Sequence, residues 1–211
     1  MPKISRSKLA EQTWNALKQA FPDSACSLDF DLPERLAIRG ILSAQCTDKR
    51  VNLTSKELFA KYPDMSSLAG APAEDIAAVI KPCGLTASKT ASVKDFAIRF
   101  VTDWSGVIPN DTDELMKVRG IGRKIANLIV GEIYGTPAIV VDTHCKRVMK
   151  RIGITDSEDP ARVEKDMMKV FDEDKWIAIG HLSVDLGRTY CKAQSPDCSS
   201  CPLSDFCRRH I

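Results

Sequence analysis

The chain has 211 residues, 44% of them hydrophobic and 27% charged, and a formal net charge of +2. That is ordinary for a globular protein of one or two domains. No run approaches the roughly 18 apolar residues of a membrane span, and MPKISRSKLAEQ has no apolar core behind its charges as a secretory signal would. A cytoplasmic protein without a membrane partner is expected.

Taken in chain order, the periodicity is helical throughout. Ala10, Trp14, Leu17 and Phe21 make the first stripe. Helices are then expected over Pro33–Ser43, Asp48–Tyr62 and Ala73–Lys81. Val93, Phe96, Ala97, Phe100, Val101 and Trp104 repeat the spacing until Gly106 stops it. Further helices are expected over Asp113–Val118, Arg123–Tyr134, Thr143–Ile152, Asp159–Phe171 and Asp174–Gly187. Asp159-Pro160 reads as a cap with proline at the first helical position, and Gly135 as a stop. Only Ala138–Val141 could pass for a strand, and it is too short to build a sheet. The fold class is all-α.

Charge is unevenly placed. Between Arg119 and Arg151 lie seven basic residues (Arg119, Arg123, Lys124, Lys146, Arg147, Lys150, Arg151) against two acids, Glu132 and Asp142. A basic band on a mildly acidic body suits a phosphate backbone, with Arg123, Arg147 and Lys150 as contacts. Charge alone fits two solvated helix faces equally well.

Four of the eight cysteines, Cys191, Cys198, Cys201 and Cys207, crowd the C-terminal end as C-x6-C-x2-C-x5-C. Four close thiols in a cytoplasmic chain point to a metal rather than disulfides. Zinc normally uses two close-spaced pairs, whereas an iron–sulfur cluster is larger and accepts wider spacing. One close pair with two wide gaps favours a 4Fe–4S cluster. Cys26, Cys46, Cys83 and Cys145 are scattered; Cys46 and Cys145, near the other motifs, read as buried free thiols.

Two segments carry candidate chemistry. Leu115–Ala126 joins two helices through Gly120-Ile-Gly122, a tight hairpin whose backbone amides, opening onto a helix N-terminus, suit a phosphate oxygen. Glycines in a plain steric turn would look the same, but Arg123 and Lys124 follow at once. In Val140–Met149, Asp142 sits where an N-cap belongs, and a helix N-terminus stabilises an ionised carboxylate. Capping and a catalytic role are compatible.

LSAQCTD (Leu42–Asp48), VRGIGRKIA (Val118–Ala126), VDTHCKR (Val141–Arg147) and the cysteine tail, in that order, resemble the endonuclease III family of helix-hairpin-helix DNA glycosylases. The resemblance runs from the first helix to Cys207. It implies two helical domains, 27–136 with the hairpin and 1–26 plus 137–211 with the cluster, and DNA in a cleft between them. It implies a monomeric enzyme that removes oxidised pyrimidines from double-stranded DNA and nicks the abasic site, with Lys124 as nucleophile and Asp142 as catalytic carboxylate. Lysine at that position separates the chain from adenine-excising and mismatch-thymine relatives. The target nucleotide must leave the stack to be reached, and the resemblance implies Gln45 to fill the gap and Leu85 to meet the opposite strand. His144 would support the active-site backbone. Three residues depart from the family pattern: Arg119 for proline, Ile125 for threonine and Thr86 for an aromatic. They leave open a narrower lesion range with weak lyase activity. An inactive DNA-binding relative is the third reading, and it would need neither Lys124 nor Asp142.

Overall fold

The computed structural model describes residues 4–209, so the first three residues and the last two of the segments read above lie outside it. Among the described residues there are helices and turns and no strand. The helices are α1 (Arg6–Ala20), α2 (Pro33–Leu42), α3 (Asp48–Lys61), α4 (Met65–Gly70), α5 (Ala73–Ile80), α6 (Thr86–Thr102), α7 (Thr112–Leu115), α8 (Arg123–Tyr134), α9 (Thr143–Ile152), α10 (Pro160–Met168) and α11 (Trp176–Thr189). Short 3₁₀ turns at Lys81–Cys83 and Glu173–Lys175 precede α6 and α11. No described helix is long and apolar enough to cross a membrane. Two compact units emerge: Cys26–Thr136, and Met1–Ala25 together with Pro137–Ile211.

The Cys26–Thr136 unit is built around α2. Seven consecutive residues, Leu36 to Leu42, are buried, as expected of a helix surrounded by others. It packs on α3, α6 and α8. At Gly40 the contact with α8 is so close that a Cβ would lie 2.9 Å from Ile125 Cγ2. Ile125, the departure from threonine, thus fills the space the glycine leaves. Elsewhere in this core Phe96 meets Phe100 and Trp104, with ring centroids 6.1 and 5.8 Å apart.

In the other unit α9 is central. Cys145, Val148, Met149 and Ile152 form one buried stripe. They meet Leu9 and Leu17 of α1, Val163 and Met167 of α10, and Ile179, Leu182 and Leu186 of α11. Leu203, from the segment after α11, is fully buried in the same core. Burying such a side chain contributes about 1.5–3 kcal/mol, which anchors the cysteine-bearing loop.

The expected elements are mostly present, and the differences have physical causes. Helix α6 begins at Thr86 rather than Val93 because its first two turns bury polar residues, Lys89, Thr90 and Ser92, which an apolar stripe does not register. Helix α4 is too short for periodicity and is set by a capping box between Asp64 and Ser67. Helix α7 is one turn, ending before the hairpin. Ala138–Val141 is neither helix nor strand. Pro160 opens α10 under an Asp159 cap, and Gly135, at φ 66°, ends α8, as the sequence signals require.

Gly40→Ala is expected to destabilise the protein by about 1–3 kcal/mol through overpacking against Ile125. In an Ile125→Ala background the same change should cost markedly less, read as a coupling in urea denaturation. Equal costs in the two backgrounds would show that the helices do not meet there.

Candidate active site and cluster loop

The hairpin is fixed from below by apolar anchors. Val118 and Ile121 are buried, and the Ile121 amide donates to the Val118 carbonyl at 3.1 Å. Gly120 has φ 82°, and a Cβ there would fall 2.4 Å from Ser92 Oγ. Glycine is therefore demanded twice over. Gly122 differs. It is the N-cap of α8 with ordinary extended backbone, and a Cβ would meet nothing. The fold does not require glycine at 122, and no side chain caps α8. A bare backbone at an uncapped helix start leaves room for an anion. Arg123 and Lys124 occupy the first turn of α8 and are exposed.

Arg119 has a structural reason. Its backbone amide donates to Asp95 Oδ2 at 2.8 Å, tying the hairpin to α6. Proline, usual in the family, has no N–H and could not make this bond. Asp95 also holds Arg99 at 3.3 Å.

Asp142 is the N-cap of α9. Its Oδ1 accepts the Cys145 amide at 2.7 Å, and the residue is half-buried. Burial, with Asp142 close by, pushes the Cys145 thiol up to about 12, so it stays protonated. Burial also lowers His144, outweighing the opposite pull of Asp142, and the arginines at 147 and 188 act in the same direction as burial. The ring is therefore neutral at pH 7. Its Nδ1 lies 3.2 Å from an Arg147 nitrogen and acts as the acceptor.

The basic band does not reach solvent as one set of free cations. Arg147 donates through Nε to the Cys191 carbonyl and through a terminal nitrogen to the Gly187 carbonyl, both at 3.0 Å. Its guanidinium clamps α9 to α11 and to the cysteine loop, which departs from the expectation of an outward phosphate contact. A Cβ at Gly187 would come 2.9 Å from His144 Nδ1, so this approach needs a glycine on α11. Lys150 is ion-paired with Glu158 in an exposed setting, where such a pair contributes little and exchanges readily. Arg151, counted in the basic band but not among its expected contacts, donates to the Lys192 carbonyl at 2.6 Å, the Ala193 carbonyl at 3.0 Å and Cys191 Sγ at 3.6 Å. Its only sequence signal is a cation at a helix C-terminus, which carries no address for its partner.

Cys191, Cys198, Cys201 and Cys207 line one cavity together with Ile152, Leu186, Tyr190 and Leu203. Burial raises Cys201 and Cys207, and the neighbouring thiols raise them further. Four thiolates fit such a pocket only around a positive core. Among the described residues no three ligating side chains converge on a single ion. Four thiols around one cavity, too spread for one zinc, fit the larger iron–sulfur cluster.

Gln45 and Leu85 share an unusual backbone. Both have positive φ, 52° and 49°. Leu85 is 51% exposed and stands at the start of α6 after Gly84. An exposed leucine held left-handed is strained, by about 1–2 kcal/mol, and such strain concentrates at functional positions.

Residues 38–173 match the model of the HhH-GPD superfamily of base excision DNA repair proteins, and residues 191–207 match the iron–sulfur binding domain of endonuclease III. The chain is 41% identical to an endonuclease III of Bacillus subtilis over 189 residues, which is 89% of this chain and 86% of that one. It is similar to a protein solved as a non-covalent endonuclease III–DNA complex, with TM-score 0.92 and 38% identity over 98% of this chain and 96% of that one. A structure of a trapped endonuclease III–DNA covalent intermediate matches equally, at TM-score 0.92 and 38% identity over 98% and 97%.

Asp95→Ala is expected to cost about 1 kcal/mol of stability, the usual net value of a hydrogen bond. The cost should shrink in an Arg119→Pro background, where the donor is already gone. Undiminished cost there, by denaturant melts of the single and double variants, would show that the Arg119 amide contributes nothing.

Proposed function

Because the chain belongs to the HhH-GPD superfamily of base-excision DNA repair proteins, we propose that it removes oxidised pyrimidines from double-stranded DNA with Lys124 as nucleophile and Asp142 as the assisting carboxylate. It is a DNA glycosylase with abasic-site lyase activity, and it carries a 4Fe–4S cluster held by Cys191, Cys198, Cys201 and Cys207. The observation that carries the catalytic reading is the lysine placed directly after Gly120-Ile-Gly122, in a chain whose structural neighbour was trapped as a covalent intermediate with DNA.

The chemistry follows from the groups. The Lys124 amine, having given up its proton, attacks C1′ of the flipped nucleotide and the base departs; the C1′–O4′ bond then opens, O4′ takes up a proton, and an imine links lysine and sugar. Loss of a C2′ proton then expels the 3′ phosphate by β-elimination. Asp142 is anchored through Oδ1 by the Cys145 amide, which leaves Oδ2 for the positive charge that develops on the sugar. The uncapped start of α8 with Gly122 and Arg123, and Lys150 beyond, meets phosphate oxygens. Arg147 contributes by holding the cluster loop. Held by Cys191, Cys198, Cys201 and Cys207, a cluster would supply iron–thiolate bonds that link the ends of that loop. Gln45 fills the gap left by the flipped base and Leu85 meets the opposite strand, a reading that their positive-φ, exposed positions support. A DNA substrate supports a cytoplasmic location, associated with the nucleoid in a bacterium.

Borohydride reduces an imine to a stable amine, so it should trap the wild-type enzyme on abasic duplex. Lys124→Gln should lose both the adduct and nicking while retaining binding. Asp142→Asn should keep a slow adduct and lose turnover on the order of a hundred- to a thousandfold. A peptide map placing the sugar on Lys146 or Lys150 would reassign the nucleophile.

Leu85→Gly removes a strained left-handed leucine and should raise the unfolding free energy by about 1 kcal/mol. The same change should slow excision from duplex at least about tenfold, equivalent to about 1.4 kcal/mol in the barrier. Unimpaired excision would remove Leu85 from the DNA interface.

A further inference from the structure

We infer that Lys89 is the positioning residue for Leu85: its buried side chain fixes the turn from which that leucine meets the strand opposite the damaged base. The chain passes from the 3₁₀ turn Lys81–Cys83 into α6 through two residues of positive φ in a row, Gly84 at 70° and Leu85 at 49°. Glycine adopts positive φ freely, whereas leucine does not. Such strain persists only where the surroundings over-determine the backbone. Something outside the pair therefore holds it.

Lys89 holds it from both sides. Its Nζ donates to the Cys83 carbonyl at 2.7 Å, in the peptide group before Gly84. Its backbone amide donates to the Leu85 carbonyl at 3.0 Å, in the peptide group after Leu85. One residue thus grips the two peptide planes that bracket the positive-φ pair. The first of these planes is also held at its other edge, where the Gly84 amide donates to the Lys81 carbonyl at 3.1 Å. Because peptide groups are planar, fixing both planes leaves little freedom to the dihedrals between them. The helix provides the backbone bond whatever residue stands at position 89. The side-chain bond is the part particular to lysine.

The choice of a charged donor points the same way. Lys89 is 3% exposed and Cys83 2%, and burial lowers the ammonium from the usual lysine range. Methionine, of similar length, would fill the space without desolvating a charge. What lysine adds is the hold on the Cys83 carbonyl. Leu85 itself is 51% exposed, so a fixed, buried base carries a projecting apolar side chain. A leucine held in this way meets DNA without first losing conformational freedom. The role in recognition rests on the DNA-facing reading of Leu85; the hold on the turn does not.

The test compares the cluster-bearing wild-type enzyme with Lys89→Met, Leu85→Gly and the double variant. In DNA-free protein, the backbone carbon chemical shifts of Leu85 report its dihedrals. They should leave the left-handed range in Lys89→Met. Nicking is then measured on one abasic strand, alone and paired with its complement. Only the paired form offers an opposite strand, so the ratio of paired to single-strand rates should fall at least about tenfold in Lys89→Met. Leu85→Gly should show a similar fall and the double variant no further one, because Lys89 acts through Leu85. Unmoved Leu85 shifts in folded Lys89→Met, or falls that multiply in the double variant, overturn the positioning role. Moved shifts with a wild-type ratio in both single variants overturn the DNA-facing reading, and the role in recognition with it, while the hold on the turn stands. Should Lys89→Met fail to fold, Lys89→Gln, shorter and uncharged, carries the comparison. Loss of fold in both assigns Lys89 to the core as a whole and overturns its assignment to Leu85.

Discussion

The hydrogen bond from the Cys145 amide to Asp142 Oδ1, at 2.7 Å, sets one carboxylate oxygen and the first turn of α9 in the same stroke. A helix start without this cap would leave amides unsatisfied in a half-buried position, and the cap is typically worth about 1 kcal/mol. Once α9 is started there, its buried stripe of Cys145, Val148, Met149 and Ile152 dictates which face turns to the core. In the proposed reaction, the oxygen that the cap leaves over is the one free to act on the sugar. Capping and catalysis are not rival explanations for this aspartate, because a carboxylate has two oxygens and the helix needs one.

From the same helix the constraint passes to the cysteine loop. Arg147 and Arg151 reach the carbonyls of Cys191, Lys192 and Ala193, and the Cys207 thiol donates to the Arg151 carbonyl at 3.5 Å. Hydrogen bonds from charged donors to carbonyls hold geometry more firmly than neutral ones. The loop is thus attached to α9 by polar contacts and to the core by Leu203, and the cluster closes what those contacts bring together. Net charge gives no hint of this arrangement. A run of cations looks the same from sequence whether it faces phosphate or its own backbone.

The hairpin side follows another logic. Gly120 is dictated by its neighbour Ser92, Gly40 by Ile125, and the amide of Arg119 by Asp95. Each departure from the family pattern that has a structural account is answered by a partner one helix away. Thr86, at the start of α6, has no such account in the structure. Buried Lys89 shows the same dependence on neighbours, since its ammonium is tolerable only with a partner such as the Cys83 carbonyl that accepts from it.

The sequence by itself determined the helical class, both ends of α8, the start of α10, the cap at Asp142 and the set of four clustered cysteines. These are local matters: a 3.6-residue period, a glycine stop, a proline start and close chain spacing act within a few residues. Only the tertiary structure decided that α6 starts seven residues early, that Arg147 turns inward, and that α8 meets α2 at Gly40. Those depend on contacts between residues distant in the chain. A polar helix face buried against other helices, a guanidinium choosing carbonyls over solvent, and a glycine facing an isoleucine 85 positions on leave no periodic trace in the sequence.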